Sequence, residues 1–286
     1  MTPASARQEQ SVLAIIAGGG DLPKRVVEAC QARGRPFVVV GLNGQAETTG
    51  WPPGVPHQWT RLGKCGGVAE DLRDRGILHL CMAGRVKRPS LVSLLPDWRT
   101  AAFLAKVGAS ALGDDGLLSA IVRELESNGF TIEAPDQVIG ARPLGAGVIG
   151  RIIPDDQARR DLAHAFRMAK ALGALDIGQG VVVQQGVVLA VEAIEGTDAM
   201  LERCACLLRD GPGAVLVKAC KPQQDRRVDL PALGARTLEV AARAGLRGVG
   251  FEAGAVVLLD PTGLGKRADD LGLFFVGLSA EGEVPS

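Results

Sequence analysis

The stretch running from Lys218 to Gly234, KACKPQQDRRVDLPALG, sets Lys218, Lys221, Arg226 and Arg227 beside Asp225 and Asp229, around two prolines. It follows the apolar run Ala214–Val217 directly, so cations and carboxylates gather at the exit of a buried strand. Exposed ion pairs stabilise a fold by at most about 1 kcal/mol, so stability alone is a weak reason for the cluster. The chemical reading is that the lysines neutralise a phosphate while a carboxylate holds a divalent ion or orients a water for attack. The alternative is a solvated charged loop.

Five other stretches carry polar groups at turns. Gly18-Gly-Gly20 lies between an apolar run and a helix opened by Asp21 and Pro23, where backbone N–H groups can meet a phosphate. It is not a dinucleotide fingerprint: Pro23 stands where the third glycine would, and Gly41-Leu-Asn43 replaces the acidic residue after the second strand. Anion or sugar binding at this helix start competes with a plain tight turn that needs small residues. Arg85, Lys87 and Arg88 follow the run ending at Met82, at the carboxyl end of a sheet, and suit either a phosphate or solvent. Asp114-Asp115 reads as a helix cap, with metal binding as the other reading. In Glu192-Ala-Ile-Glu-Gly-Thr-Asp198, Thr197 or Asp198 could cap a helix; alternatively Thr197 and free N–H groups bind a phosphoryl oxygen with Glu195 facing the same crevice. Gln179 and Gly180 belong to a further small-residue turn just before a strand.

Familiar hydrolase signatures are missing. Histidines 57, 79 and 164 are too dispersed for a His-rich two-metal site, and there is no Gly-x-Ser-x-Gly elbow or Walker loop. Lys plus Arg equals Asp plus Glu at 32 each and aromatics are 3%, which argues against nucleic acid as a partner. The six cysteines lack zinc-site spacing and read as reduced core thiols, which implies the cytosol. A polar start and no run of about 20 apolar residues predict neither a signal peptide nor a membrane span.

The elements that must position these groups alternate between strand and helix. Val12–Ala17, a helix to Arg33 and Pro36–Val40 form a parallel βαβ unit. Helices near 67–75, 91–107 and 112–130 and a strand at Ile77–Met82 continue an open α/β sheet. Gly and Pro crowd 135–154. Beyond it come a helix near 155–172, a hairpin turning at Gln184-Gln-Gly186, a helix from Asp198, the strand 214–217, a helix near 234–244, and apolar runs at 255–259 and 273–276. The fold class is therefore α/β: a Rossmann-like domain of parallel sheet over 1–134, a linker over 135–154, and a mixed α/β catalytic domain over 155–286, with the site expected in the cleft between them.

Six motifs in order, IIAGGGDLP (15–23), GRVKRP (84–89), LGDDGLL (112–118), DIGQGVVV (176–183), AVEAIEGTDAM (190–200) and KPQQDRRVDLPALG (221–234), resemble the non-metallophosphoesterase type of UDP-2,3-diacylglucosamine diphosphatase. The resemblance implies hydrolysis of the substrate's pyrophosphate to UMP and 2,3-diacylglucosamine 1-phosphate (lipid X) in lipid A synthesis, by water attacking the β-phosphorus with Mg2+ required. It implies Asp225 as the catalytic residue and metal ligand. It also implies substrate contacts from Gly19, Gly20, Asp21, Glu195, Gly196, Thr197 and Asp198; Lys87, Gln179, Gly180, Lys218, Lys221, Gln224 and Asp229, in the other quoted stretches, are further candidate substrate contacts. A cytoplasmic enzyme in transient contact with the inner-membrane surface follows from the resemblance. The rival from another class is a carrier that binds a sugar nucleotide or lipid phosphate without cleaving it; a nicotinamide oxidoreductase is disfavoured by Pro23 and Asn43.

Overall fold

Short apolar runs separated by helices build a parallel sheet in the first half of the chain. The computed structural model describes residues 11–46, 51, 54–61, 64–86, 114–140, 144–228, 232–258 and 261–285. Strands β1 (Leu13–Ala17), β2 (Phe37–Leu42), β3 (His57–Thr60), β4 (His79–Ala83) and β5 (Thr131–Ile132) pair in the order β3-β2-β1-β4-β5, all parallel. Alternate strand residues face opposite layers. Leu13, Ile15 and Val39 pack with Val26, Val27 and Cys30 of α1 (Leu22–Ala32), while Ala14, Val38 and Val40 pack with Leu72 of α2 (Cys65–Asp74) and Val122 of α3 (Asp114–Ser127). Gly34, at φ +64°, ends α1 as its sequence predicts, and Gly129, at φ +88°, ends α3. The helix expected near 91–107 lies outside the described residues.

The second half forms a six-stranded mixed sheet in the order β6-β13-β11-β9-β7-β8. Its strands are β6 (Gly147–Val148), β7 (Gly180–Gln184), β8 (Val187–Val191), β9 (Val215–Lys218), β11 (Gly248–Glu252) and β13 (Phe274–Leu278); β10 (Ala232–Leu233) and β12 (Val257–Leu258) pair separately. Strands β9, β11 and β13 are parallel, and the β7–β8 hairpin and β6 run antiparallel to their neighbours. Val181, Val183, Val215 and Val217 face Leu162 and Phe166 of α5 (Asp156–Ala174). Val182, Leu216 and Val249 face the other way, toward Met200 of α6 (Thr197–Cys204), Leu238 of α7 (Ala235–Arg243) and Leu264 of α8 (Pro261–Asp270). The connection read at 135–154 contains α4 (Pro135–Ile139), opened by a proline whose fixed φ suits a first helical turn, and β6.

Two details fix the hairpin. Gln185 and Gly186 both take positive φ, +51° and +78°, as a two-residue hairpin turn requires, and the carboxylate of buried Asp161 on α5 accepts from both of their amides at 2.9 and 2.7 Å. The register shifts between Val182 and Val183: Val183 pairs with Val188 and Val182 with Ala190, which leaves Leu189 as a bulge.

The chain divides into two compact units, Met1–Ala141 with Asp225–Asp229, and Arg142–Gln224 with Leu230–Ser286. The segment 225–229 thus belongs with the first unit although it follows the second unit's β9. Val228 packs beside the Ala14, Val38 and Leu80 face of the first sheet.

Candidate active site

In the first unit, the loops after β1 and β4 leave neighbouring strands at their carboxyl ends, the place where an open sheet of this order binds ligands. The two loops touch backbone to backbone. Gly19 N–H donates to the Arg85 carbonyl at 2.8 Å, Arg85 N–H donates back at 2.9 Å, and Gly18 N–H donates to Ala83 at 2.8 Å. A Cβ on Gly18 would stand 2.5 Å from the Arg85 oxygen, and one on Gly84 2.7 Å from that of Gly19. Close approach therefore accounts for Gly18 and Gly19, whose amides are already engaged. Gly20, at φ +88°, turns the chain into α1, where Asp21 holds the N-cap position without a side-chain capping bond. Gly18→Ala is expected to destabilise the protein by about 2 kcal/mol, because rigid backbone opposes the new methyl group. A melting curve unchanged from wild type would show that the loops part freely.

Asp225 lies in the same unit, half-buried, and both of its oxygens are held by Arg227. Oδ1 accepts from the Arg227 backbone N–H and Nε at 3.0 Å each, and Oδ2 accepts from Nη2 at 2.8 Å. The third arm of Arg227, Nη1, pairs with Glu126 near the end of α3. The Arg227 hydrogen bonds keep the Asp225 carboxyl below the usual aspartate range against the opposing cost of burial. Asp225 is therefore ionised at neutral pH. The sequence marks Arg227 only as one cation of the charged cluster, and Glu126, about a hundred residues upstream, carries no local signal of its role.

The second unit gathers three loops at one end of its sheet, where β7 begins, β8 ends and β9 ends. Lys218, the last residue of β9, pairs with Gly180 at the start of β7. It is buried, and its Nζ donates to Thr197 Oγ1 at 2.9 Å, while that hydroxyl donates to Glu192 Oε1 at 2.8 Å. Lys221 Nζ pairs with Asp176 at 2.6 Å. Gln224 is buried, and its Oε1 accepts from Cys220 Sγ at 3.1 Å and the Lys221 amide at 3.2 Å, which ties the 220–224 turn together. These residues are strand-end and turn groups with named partners, so the solvated-loop alternative does not describe Lys218, Lys221 or Gln224.

The remaining residues fall as follows. Neither Thr197 nor Asp198 caps α6: the N-cap position is Gly196, at φ +81°, with no side-chain capping bond. Thr197 is the first residue inside the helix, and its hydroxyl turns instead to Glu192 and Lys218. Glu195 pairs with Arg203, Oε1 accepting at 2.8 and 3.1 Å, and that bonding holds its carboxyl below the usual glutamate range. Asp198 accepts from Thr237 at 3.2 Å and pairs with Arg236 at 3.0 Å. Lys87, Arg88 and Asp229, and the side chains of Asp114 and Asp115, lie outside the described residues.

Among the described residues, five buried side-chain polar atoms have no hydrogen-bond partner: Trp51 Nε1, Gln179 Oε1, Glu192 Oε2, Gln224 Nε2 and Arg247 Nε. Gln179, Glu192 and Gln224 belong to the three loops at the Lys218 end of the second sheet. Buried polar groups are rarely left unpaired, so this end is built to receive something polar.

The described residues do not by themselves assemble a set of metal ligands. Both Asp225 oxygens already accept from Arg227, and among the described residues no group of three or more His, Cys, Asp or Glu side chains could hold an ion.

Comparison with known families decides the kinship. The model of the LpxI N-terminal domain matches residues 12–141 and that of the LpxI C-terminal domain matches residues 145–276. The chain belongs to the LpxI family. It is 41% identical over 276 residues to a protein of Caulobacter vibrioides (strain ATCC 19089 / CIP 103742 / CB 15) named UDP-2,3-diacylglucosamine pyrophosphatase LpxI, across 94% of this chain and 98% of that protein. The resemblance carried by the six motifs is thus kinship with LpxI along nearly the whole chain. The two LpxI domain models meet close to residue 141, where the compact units also divide.

Proposed function

We propose that this protein hydrolyses the pyrophosphate bond of UDP-2,3-diacylglucosamine, releasing UMP and 2,3-diacylglucosamine 1-phosphate in lipid A synthesis. The observation that carries this reading is the 41% identity, over nearly the full length of both chains, to the pyrophosphatase of that name.

The residues support a division of labour. Asp225, kept ionised by Arg227, is an acceptor rather than a strong base, because a depressed pKa lowers proton affinity. Its role in this reading is to orient the attacking water at the β-phosphorus. Arg227 holds the carboxylate in place and supplies positive charge beside it. Lys218, fixed by Thr197, and Lys221, fixed by Asp176, offset phosphoryl charge as the P–O bond breaks. Gly20, Asp21, Gln179, Gly180, Gly196 and Gln224 line the turns that contact substrate, and Glu195 and Asp198 shape theirs through Arg203, Thr237 and Arg236. Gly19 contributes by its close packing on Arg85.

Magnesium belongs to the proposal as an ion that arrives with the pyrophosphate, since Asp225 is engaged by Arg227. Magnesium typically binds through one or two carboxylates together with substrate phosphates and waters. The place of action is the cytoplasm, with transient contact at the inner-membrane surface to collect a doubly acylated substrate. No described helix is long and apolar enough to cross a membrane.

The test is incubation of purified protein with labelled UDP-2,3-diacylglucosamine and magnesium, followed by separation of products. UMP and 2,3-diacylglucosamine 1-phosphate should appear in equal amounts, and excess EDTA should abolish their formation. Substrate recovered intact would point to a carrier. Undiminished turnover in EDTA would remove the metal.

A further inference from the structure

Glu192 has the property of a ligand-binding group and no role in the reading above. It is 7% exposed, yet only one of its carboxylate oxygens is used. Oε1 accepts from Thr197, and Thr197 in turn accepts from Lys218 Nζ. Oε2 is buried with no partner, which is costly for any polar oxygen and more so for a charged one. The chain gives way to keep it there. A Cβ on Gly180 would lie 2.6 Å from Oε2, and one on Gly178 would overlap the Glu192 carbonyl. Gln179, between these two glycines, presents a second buried oxygen without a donor.

Two acceptor oxygens without donors cannot face a phosphate, whose own oxygens are acceptors. They are completed by N–H or O–H donors, such as the hydroxyls of a ligand. Lys218 lies one hydroxyl away from Glu192 and presents the opposite preference. The sheet end therefore sets a cation, Lys218 held by Thr197, close to a carboxylate oxygen of Glu192 that has no donor.

We propose that Glu192 Oε2, seconded by Gln179 Oε1, binds hydroxyl groups of a sugar whose phosphate is taken by Lys218. This rests on the proposed function and names a subsite within it. Both the ribose of the nucleotide and the glucosamine carry such hydroxyls beside a phosphate. Glu192→Gln keeps the Oε1 bond to Thr197 and replaces the ligand-facing acceptor by a donor.

Calorimetric titration of wild type and E192Q with UMP, and separately with 2,3-diacylglucosamine 1-phosphate, tests it. Affinity for one of the two should fall about tenfold or more, the scale for a hydrogen bond to a charged group, and which one falls identifies the sugar. Equal affinities of wild type and E192Q for both compounds would overturn the subsite, as would a wild type that binds neither. If E192Q does not fold, Glu192→Asp, which keeps the charge and withdraws it by one methylene, carries the same comparison. Wild-type turnover of UDP-2,3-diacylglucosamine is read apart from these titrations. A protein that hydrolyses it while E192Q binds both products normally loses only the subsite; one that binds the products through Glu192 without turnover loses only the proposed hydrolysis.

Discussion

Asp225→Ala is expected to fold, to bind substrate, and to lower kcat at least about 100-fold, the scale for losing one strong contact at a reacting centre. Folding should survive because the Arg227 that it releases is 42% exposed and keeps Glu126 as a partner. The stability loss from such an accessible pair is at most about 1 kcal/mol. The readout is steady-state hydrolysis together with a melting curve. A variant with near wild-type kcat would move the chemistry away from Asp225. The pH profile adds a signed check: Arg227 stabilises the ionised carboxylate, so Arg227→Ala should move the acidic limb of the rate profile upward, toward the ordinary aspartate value of about 3.9.

Glu133→Ala has the largest expected effect on stability. Arg35 and Glu133 form a bidentate pair at 2.8 and 2.8 Å, each side chain 8% exposed, and His79 Nδ1 lies 2.6 Å from the same carboxylate. Removing the carboxylate leaves the Arg35 charge buried and strands His79, a change that typically costs 3–5 kcal/mol, roughly. Thermal or urea unfolding measures it, and a loss below about 1 kcal/mol would mean that water reaches Arg35. Burial alone would raise the carboxyl's pKa, but the Arg35 hydrogen bonds and charge, with His79, outweigh it and bring the net value below the ordinary one. The folded state therefore binds its proton more weakly than the unfolded state. The pair's contribution is full above the unfolded glutamate value of about 4.3 and is lost as pH falls through and below it.

Much of the framework was legible in the sequence because period and punctuation agree with the fold. Gly34, Gly129 and the Gln185-Gly186 turn stop or reverse the chain where their types demand it, and Asp155 caps α5 by accepting from Ala158 N–H at 2.7 Å. Strand β11 and helix α8 were not anticipated. Gly248 and Gly250 interrupt the first with residues that weaken strand propensity, and α8 carries two glycines in ten residues. The site was legible only as segments. Residue type marked Lys218 and Lys221, but their partners Thr197 and Asp176 lie 21 and 45 positions away, and Glu126, which pairs with the Arg227 that holds Asp225, lies 101 positions from that arginine; only tertiary pairing finds them. Asp225 and Arg227 look like one charge run with Lys218 and Lys221, yet they belong to a different compact unit, which no local pattern records.

The bulge at Leu189 bears on heredity as well as geometry. Had the β7–β8 ladder continued in simple alternation, Val191 and not Glu192 would stand beside Gly180. One supernumerary residue in a strand of five thus exchanges an isopropyl group for a carboxylate at the sheet end. Descendants of this chain can vary Leu189 in kind, but an added or lost residue between it and Glu192 would move the acid to the wrong side of the strand, and with it whatever selectivity that acid confers.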